Sequence, residues 1–538
     1  MSNQLFSVWR PAVSVAAVVV GLSACGGNPA VAHDDSALRN INTLVVIYAE
    51  NRGFDNLYGL FPGANGIPGV NSSARGNVNP QVDVDGAVLP VLPPTWGGAT
   101  VPGQSKVVTQ AQSAGLPNKP FRIESTEGLG LDSSIITRDL VHRFYNNQMQ
   151  IHGGKNDQFA TYSDAGGLSL GYYDGSNMAM WKLAQQYTLA DNFFMGAFGG
   201  SFLNHQYLIC ACAPQYPHAD QSPAKGGISR IDVDANGQFV RLTPAVGSPK
   251  STLDGPQKYI NDGTLTPADA KGMFYAVNTM QPAYQPSNVA PAVTDGSHLF
   301  ADANNASTLP PLTQTNIGDL LTAKGVSWAW YAGAWNETSA TASGSRKFGV
   351  PMPNFQFHHQ PFNYYANMDP VTHAAYRAEH LKDFDSSFLQ DAAAGKLPAV
   401  SFYKPQGNLN QHSGYADVAS GDAHIADVIN KLRQSPQWSH MLIVVTYDEN
   451  GGFWDHAAPP KMDQWGPGTR IPAIIISPYA KKGYVDSSLY DTSSILRFIT
   501  RRWSLPTLDG IALRDKAIAA QGGQPLGDLS NALVAQPQ

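Results

Sequence analysis

The sequence has few charged residues, few cysteines and only one long apolar run. Charged side chains make up 14% of the 538 residues, and the net charge is −6 at pH 7. Proteins that bind nucleic acid normally carry a basic patch, so this balance argues against that class. The hydrophobic fraction of 43% excludes a largely disordered chain. A chain of this length could form two to four average domains or one large enzyme domain.

The three cysteines offer little material for a disulfide framework. Cys25 lies near the N-terminus, whereas Cys210 and Cys212 are separated by one residue. A Cys-Ala-Cys pair is too close for an unstrained bridge, and no paired cysteines or histidines lie at zinc-finger spacing. Cys210 and Cys212 are therefore predicted to be small core residues without a disulfide.

The one apolar run lies at the N-terminus. It covers residues 12–22 after Arg10, and it is too short to span a bilayer as a helix. Residues 1–24 are therefore predicted to be a signal peptide, and the protein is expected to be exported to the periplasm, the outer membrane or the medium. The motif Leu22-Ser-Ala-Cys25 resembles a bacterial lipoprotein box, which implies lipidation of Cys25. The alternative is an ordinary secretory signal with a chance cysteine. A lipid at Cys25 is the only membrane contact that we expect.

Strand-like and helix-like patterns alternate along most of the remaining chain. This alternation predicts an α/β fold in which helices flank a largely parallel central sheet. Strands are predicted at 44–48, 189–195, 326–331, 399–403, 441–447 and 471–477. Helices are predicted at 54–60, 139–150, 177–187, 317–324, 373–394, 422–433 and 492–503.

The same patterns suggest how the chain is divided. Residues 25–41 are predicted to be a polar leader, residues 42–515 the main domain and residues 516–538 a tail. Two stretches within the main domain, 62–120 and 213–310, are rich in glycine and proline and are predicted to be loop-rich insertions.

Three polar clusters follow predicted strands. Glu50-Asn51 follows the first strand, Ser201 the second, and Asp448-Glu449-Asn450 the strand at 441–447. Ligands of parallel sheets bind at the carboxyl ends of strands, so we expect the three clusters to share one rim.

The adjacent carboxylates of Asp448 and Glu449 repel each other unless a cation compensates them. A hard divalent metal ion would do so, and Glu50-Asn51 has the same form. The alternative for both clusters is a solvated turn, because Asp, Asn and Gly favour turns.

Ser201 lies in the segment Phe198-Gly-Gly-Ser-Phe-Leu-Asn-His205. Two glycines permit a tight turn before a helix, and a serine at the start of a helix gains the amide groups that hold an anion. Ser201 is thus a candidate nucleophile, and the alternative is a helix N-cap. The segment is not the G-x-S-x-G elbow of α/β-hydrolases, because Leu203 replaces the last glycine.

Several histidines lie near these motifs, and any one of them could be an ordinary core or surface residue. The adjacent pair His358-His359 is less easily explained that way, and both imidazoles could donate to a phosphate. Histidine is protonated below a pKa of about 6.5, which would favour activity at mildly acid pH. The histidines concerned are His142, His152, His205, His358, His359, His412, His424 and His456.

Two aspartate-rich segments invite a different interpretation. Asp232-Val-Asp234-Ala-Asn236-Gly237 matches the first half of a calcium-binding loop, but Thr243 stands where the bidentate glutamate is needed. It is better interpreted as a hairpin turn, and so is Asp83-Val-Asp85-Gly86. We find no Walker A motif, no H-E-x-x-H and no sulfatase motif.

Taken together, three motifs resemble the phosphoesterase family that joins bacterial acid phosphatase A to nonspecific phospholipase C, within the alkaline phosphatase superfamily. The segment Phe198–His205 and the His358-His359 pair are more similar to the acid phosphatase branch. The motifs are Ile47-Tyr-Ala-Glu-Asn-Arg-Gly-Phe-Asp-Asn-Leu-Tyr-Gly59, Thr446-Tyr-Asp-Glu-Asn-Gly-Gly-Phe-Trp-Asp-His456 and Arg470-Ile-Pro-Ala-Ile-Ile-Ile-Ser-Pro-Tyr479.

The resemblance implies a metal-dependent acid phosphatase that hydrolyses small phosphate monoesters through a phosphoserine on Ser201. One divalent cation (Mg, Ca, Mn or Zn) is expected, and Ser201 would also contact it. A phospholipase C acting on lipid phosphodiesters is the first alternative, and a surface lipoprotein that only binds phosphate or metal is the second. The implied metal ligands are Glu50, Asn51, Ser201, Asp448 and Glu449, and the implied phosphate pocket consists of Asn51, His142, His358, His359 and His412.

Overall fold

The computed structural model describes residues 36–263, 265, 268–339 and 355–538. The predicted signal peptide, the Cys25 lipidation site and most of the predicted leader lie outside the described residues. Within the described part of the chain, none of the helices has the length and apolar character needed to cross a membrane.

Fourteen strands are present among the described residues. Eight form the central sheet, in the order β13-β4-β12-β11-β1-β10-β8-β9, and only β12 runs antiparallel to its neighbours. The strands are β1 Thr43–Ala49, β2 Phe121–Arg122, β3 Gly171–Tyr172, β4 Thr188–Ala190, β5 Phe193–Phe194, β6 Ile231–Val233, β7 Phe239–Leu242, β8 Trp328–Ala332, β9 Leu381–Asp383, β10 Val400–Lys404, β11 Met441–Tyr447, β12 Ala473–Ile476, β13 Tyr484–Asp486 and β14 Tyr490–Asp491.

Helices flank this sheet, so the predicted α/β class with a largely parallel central sheet is confirmed. The helices are α1 Ser36–Arg39, α2 Phe54–Tyr58, α3 Phe144–Ile151, α4 Ala179–Gln186, α5 Ser201–Cys210, α6 Ile317–Lys324, α7 Trp335–Ser339, α8 Ala374–His380, α9 Leu389–Ala393, α10 Val418–Leu432, α11 Ser493–Arg502 and α12 Asp509–Ala520.

The middle of the sheet is formed by β1 and β11, whose residues are all buried. Continuous apolar runs of this kind are typical of parallel strands that are covered on both faces. The two strands pair in register from Thr43 opposite Met441 to Ala49 opposite Tyr447. They therefore end side by side, and the polar residues that follow them emerge at one rim.

Two predicted helices are wrong in extent. The helix predicted over 139–150 begins only at Phe144, because Arg143 has an extended backbone with φ −95° and ψ 162°. The helix predicted over 373–394 is split into α8 and α9 by β9, which pairs with β8. Hydrogen bonding at the edge of the sheet there outweighs the local helical pattern.

The strand predicted over 189–195 is also divided. β4 ends at Ala190 in the central sheet, whereas β5 pairs with β14 in a separate two-stranded sheet. Ser201 is therefore not placed at the end of a central strand, and the predicted strand-end position is wrong for this residue.

The prediction for Cys210 and Cys212 is wrong, since the two form a disulfide. Helix α5 ends at Cys210, and Ala211 adopts a left-handed backbone with φ 51°. This reversal brings the next side chain back toward the helix end, so that the two Cα atoms lie 5.1 Å apart. That spacing is within the range of ordinary disulfides.

Both aspartate-rich segments form turns, as predicted. Residues 234–238 connect β6 to β7 in an antiparallel hairpin, and the amide of Asp83 donates to the carbonyl of Ala87. The hairpin lies within the 213–310 stretch, and its Phe239 stacks on Tyr145 of α3 with ring centroids 4.9 Å apart. This part of the stretch thus packs against α3.

Candidate active site

The acidic clusters after β1 and β11 meet at one rim of the sheet. The amide of Asp448 donates to the carbonyl of Ala49, and the amide of Asn51 donates to Oδ1 of Asp448 at 3.0 Å. Asn51 has a left-handed backbone with φ 58°, which turns the chain sharply after the strand. The side chains of Glu50, Asn51, Asp448 and Glu449 are fully buried, so the solvated-turn alternative does not hold for either cluster.

Ser201 lies at the same rim as the acidic clusters, although it does not follow a strand of the central sheet. It is the first residue of α5, and its hydroxyl is 3.1 Å from Oδ1 of Asn51 and 3.3 Å from Oε1 of Glu449. Gly200 is the N-cap residue, and no side-chain capping hydrogen bond is present. The N-cap alternative for Ser201 is therefore wrong.

Gly199 shows why the turn before Ser201 needs glycine. Its φ is +87°, and a Cβ atom there would lie 2.3 Å from the backbone nitrogen of Phe144. Any side chain would displace the start of α3 and with it the adjacent His142.

Four of the predicted histidines line this rim. Nε2 of His412 lies 3.0 Å and Nε2 of His142 3.4 Å from Nδ2 of Asn51. His142 Nε2 is also 3.6 Å from Oε1 of Glu449. Nε2 of His359 is 2.7 Å from Oε1 of Glu50, and His358 is buried next to it.

The other histidines near the motifs have different positions. His205, one turn into α5, lies with its ring 5.3 Å from that of His358 and belongs to the site. The remaining three bind partners elsewhere: His152 contacts Asp157, His424 contacts Tyr403, and His456 contacts Asp55.

Sequence reasoning missed Lys404, the last residue of β10. Its Nζ is fully buried and lies 2.8 Å from Oε1 of Glu50. A lysine at the end of an apolar strand is unusual, and the sequence contained that signal. Its position next to Glu50, however, follows only from the pairing of β10 with β1. Tyr415 was also missed, and its hydroxyl lies 3.3 Å from Oε2 of Glu50.

Burial and mutual repulsion set the charges of the carboxylates. Burial raises the pKa of Asp448 to about 7, and the charge of Glu50 adds to this effect. Burial also raises the pKa of Glu449 well above its usual range. For Glu50, burial acts in the same direction, but Lys404 and His359 outweigh it and hold the pKa well below its usual range.

The histidines differ in charge. Burial lowers the pKa of His142, but the charges of Glu449 and Asp139 outweigh burial and raise this pKa to about 9. Burial lowers the pKa of His359 to about 4 and also lowers the pKa values of His358 and His412. The expectation that the histidine pair is protonated at mildly acid pH is therefore wrong, and His142 is the cationic histidine of the site.

The donor atoms of the site fit a divalent cation. Oδ2 of Asp448 and Nε2 of both His205 and His358 are buried without a hydrogen-bond partner among the described residues. An unsatisfied buried polar atom is costly, so a cluster of three indicates a ligand. Donor atoms of Glu50, His205 and His358 lie within 4.8 Å of one another.

Two donor sets are thus available. The predicted oxygen set of Glu50, Asn51, Asp448 and Glu449 favours a hard cation such as Mg or Ca. The imidazoles of His205 and His358, which were not in the predicted set, favour Zn, Cu, Fe or Ni. Both sets share Glu50.

The serine opens into a cavity of about 570 Å³. His142, His358, His412 and Tyr415 line the cavity next to Ser201. Four residues of the 213–310 stretch also line the cavity, namely Gly263, Val277, Asn278 and Thr279. The complete lining is Asp139, Leu140, Val141, His142, Arg143, Asp164, Gly200, Ser201, Phe202, Gly263, Val277, Asn278, Thr279, Gln356, His358, His412 and Tyr415.

The buried serine, the carboxylate cluster and the cationic histidine lie together at the rim of this sheet. The match to a family model places the protein among enzymes that hydrolyse phosphate esters. The chain belongs to the phosphoesterase family, whose model matches residues 41–506.

The relatives are named phospholipases C. Phospholipase C A of Mycobacterium tuberculosis (strain CDC 1551 / Oshkosh) is 23% identical over 527 residues, which cover 92% of this chain and 78% of the relative. Non-specific phospholipase C6 of Arabidopsis thaliana is 35% identical over 156 residues, which cover 23% of this chain and only 30% of the relative. The predicted family is confirmed, and its acid phosphatase branch stays a prediction.

Among solved structures, this chain is similar to a protein of the alkaline phosphatase superfamily from Vibrio parahaemolyticus. The identity is 11% and the TM-score 0.27, over 66% of this chain and 64% of that chain. A phosphonate monoester hydrolase from Silicibacter pomeroyi has a sequence identity of 13% and a TM-score of 0.24. The match covers 64% of this chain and 72% of that chain. Scores this low carry no argument about function.

Proposed function

We propose that this protein hydrolyses small phosphate monoesters with Ser201 as the nucleophile. The observation that carries the proposal is the position of the Ser201 hydroxyl, within 3.3 Å of both Asn51 and Glu449 and open to the cavity. A serine with a purely structural role would not need buried acidic neighbours, since burying carboxylates is costly.

In the proposed reaction, Oγ of Ser201 loses its proton to solvent and attacks phosphorus. The bond from phosphorus to the leaving oxygen breaks, and protonated His142 gives its proton to that oxygen, so that an alcohol departs and a phosphoserine remains. A water molecule then attacks the phosphoserine and gives one proton to His142. The bond from phosphorus to Oγ breaks, Oγ takes a proton back from solvent, and hydrogen phosphate leaves.

Glu50, Asn51, Asp448 and Glu449 would hold one divalent cation, with His205 and His358 as the alternative donors next to Glu50. When bound, such a cation supplies positive charge that favours ionised Ser201 and neutralises the phosphoryl oxygens. His142 and His412 lie on the cavity side of Asn51, where each could hydrogen-bond a phosphoryl oxygen.

A phospholipase C activity is the second candidate, and the names of the relatives favour it. The lining of the cavity, by contrast, includes few large apolar side chains. Eleven of its seventeen lining residues are polar or charged, and its large apolar side chains are Leu140, Val141, Phe202 and Val277. A diacylglycerol leaving group would need a longer apolar wall, because burial of acyl chains is the main source of its binding energy.

Export is part of the proposal and rests on residues 1–24, whose apolar run and single charge are typical of a signal peptide.

The test compares p-nitrophenyl phosphate with p-nitrophenyl phosphorylcholine as substrates of the purified protein from mildly acid to neutral pH. Faster release of nitrophenol from the monoester supports the proposal, and faster release from the choline diester supports phospholipase C. Turnover of neither substrate, together with retained binding of inorganic phosphate, would support the non-catalytic alternative.

A further inference from the structure

A second, smaller cavity adjoins the one that contains Ser201. Its volume is about 170 Å³, whereas sites for whole small ligands span about 300–1,000 Å³. Val141, Arg143 and Asp164 line both cavities. Arg143, which lines both cavities, directly follows His142, which lines the first cavity with Ser201. The small cavity therefore has the size and position of a subsite for part of the substrate.

Two tyrosines form the aromatic side of the small cavity. Tyr162 precedes Ser163 and Asp164, which also line it, and Tyr259 comes from the 213–310 insertion. Their ring centroids are 6.3 Å apart with planes inclined at 38°. The backbone holds Tyr259 in place, because its neighbours Lys258 and Ile260 bond to Ala245 and Thr243. Aromatic faces fixed in this way are suited to stacking on a flat ring.

Two polar atoms of residues that line the cavity have no hydrogen-bond partner in the described part of the chain. Asn146 on α3 is 4% exposed, and its Oδ1 is buried without a hydrogen-bond partner among the described residues. The buried hydroxyl of Tyr259 also has none. Burial raises the pKa of Tyr259, so this hydroxyl stays protonated and can donate. The subsite thus offers one acceptor and one donor for the edge of a ring.

The charges beside the cavity are already paired. Arg143 contacts Asp262 at 2.7 Å, and Arg138 contacts Asp164 at 3.2 Å. A quaternary ammonium group would need a free carboxylate or an open aromatic cage, and the guanidinium of Arg143 would repel it. A neutral flat ring with hydrogen-bonding groups at its edge fits better.

We infer that the small cavity binds the nucleobase of a nucleoside monophosphate whose phosphate reaches Ser201. This inference rests on the proposed phosphatase activity and adds a substrate class to it. Tyr162 stacks on the base, and Asn146 and Tyr259 bond to its edge.

The experiment compares adenosine 5′-monophosphate with glycerol 2-phosphate, a monoester without a ring. We expect a higher kcat/KM for the nucleotide. In Tyr162→Leu the ratio of the two kcat/KM values falls by about fivefold or more, as measured losses of base stacking suggest. In Tyr259→Phe, which removes one hydroxyl, the ratio falls by about 2- to 10-fold. Tyr484→Leu and Tyr484→Phe are matched controls, because Tyr484 on β13 lines neither cavity, and they keep the wild-type ratio.

Binding separates a failed subsite from a failed phosphatase. Calorimetry on Ser201→Ala protein measures the affinities for the nucleotide and for inorganic phosphate. Tighter binding of the nucleotide that Tyr162→Leu removes supports the subsite, even if neither ester is hydrolysed. A wild-type ratio that neither tyrosine variant changes overturns it. A preference for phosphorylcholine that depends on Tyr162 overturns it as well, in favour of a cation.

Discussion

The hydroxyl of Ser201 lies 3.1 Å from Oδ1 of Asn51, although the two residues are 150 positions apart in the chain. Asn51 reaches this position through the sharp turn after β1, and Ser201 through the glycine turn before α5. The contact joins the proposed nucleophile to the proposed cation site.

Replacement of Ser201 by alanine should lower turnover of p-nitrophenyl phosphate by on the order of 10³-fold or more, because no other group would accept the phosphoryl group. The melting temperature should stay close to that of the wild type. Ser420→Ala is the control, since this exposed serine also lies in the first turn of a helix, α10. Near-normal turnover in Ser201→Ala would refute the assignment.

Removal of divalent cations with a chelator should abolish activity, and adding back one of Mg, Ca, Mn or Zn should restore it. In Asp448→Asn the metal content measured by mass spectrometry should drop, with an affinity at least about tenfold weaker. Asp427→Asn, a change at an exposed position of α10, should keep its metal. Full activity after exhaustive chelation would contradict the proposed cation.

Arg470 should be essential for stability. Its fully buried guanidinium binds Asp55 at 3.0 Å and Asp455 at 3.1 Å, and so ties the chain after β1 to the chain after β11. Arg470→Met leaves two buried carboxylates without their cation, which typically costs about 3–5 kcal/mol. Urea unfolding measures the loss, and Arg433→Met at an exposed position is the control. A loss below about 1 kcal/mol would contradict this role.

The stabilising contribution of the Asp528 carboxylate should be lost in acid. Burial raises the pKa of this carboxyl, but hydrogen bonds from Ser530 and the charge of Arg501 outweigh it and hold the pKa below its usual value. A lowered pKa contributes stability above about pH 4, the unfolded value, and this contribution is lost as the pH falls through the folded value. As the pH falls from about 5 through the unfolded value and below it, the melting temperature should fall less in Asp528→Asn than in the wild type. An equally steep fall would refute this source of acid sensitivity.

The disulfide between Cys210 and Cys212 can be tested by thiol labelling. In denatured, unreduced protein neither cysteine should react, and both should react after reduction. Because the bridge closes a very short loop, Cys210→Ser with Cys212→Ser should cost at most about 2 kcal/mol. Labelling of both thiols without reductant would show that the bridge is absent from the purified protein.

The sequence alone determined the class of fold and most of the site. Short continuous apolar runs rich in β-branched residues, such as β1 and β11, favour buried strands, and polar residues that directly follow them are expected at a rim. Glu50, Asn51, Asp448 and Glu449 were therefore predictable from local patterns, because strand direction and strand ends are local properties.

The tertiary structure decided everything that depends on which segments meet. Lys404 belongs to the site only because β10 pairs with β1, and β9 interrupts a helical pattern only because β8 offers an edge. The left-handed Ala211 made a bridge between Cys210 and Cys212 where spacing argued against one. The charges of the histidines were likewise beyond the sequence, since burial and neighbouring carboxylates set a pKa, and both are properties of the folded chain.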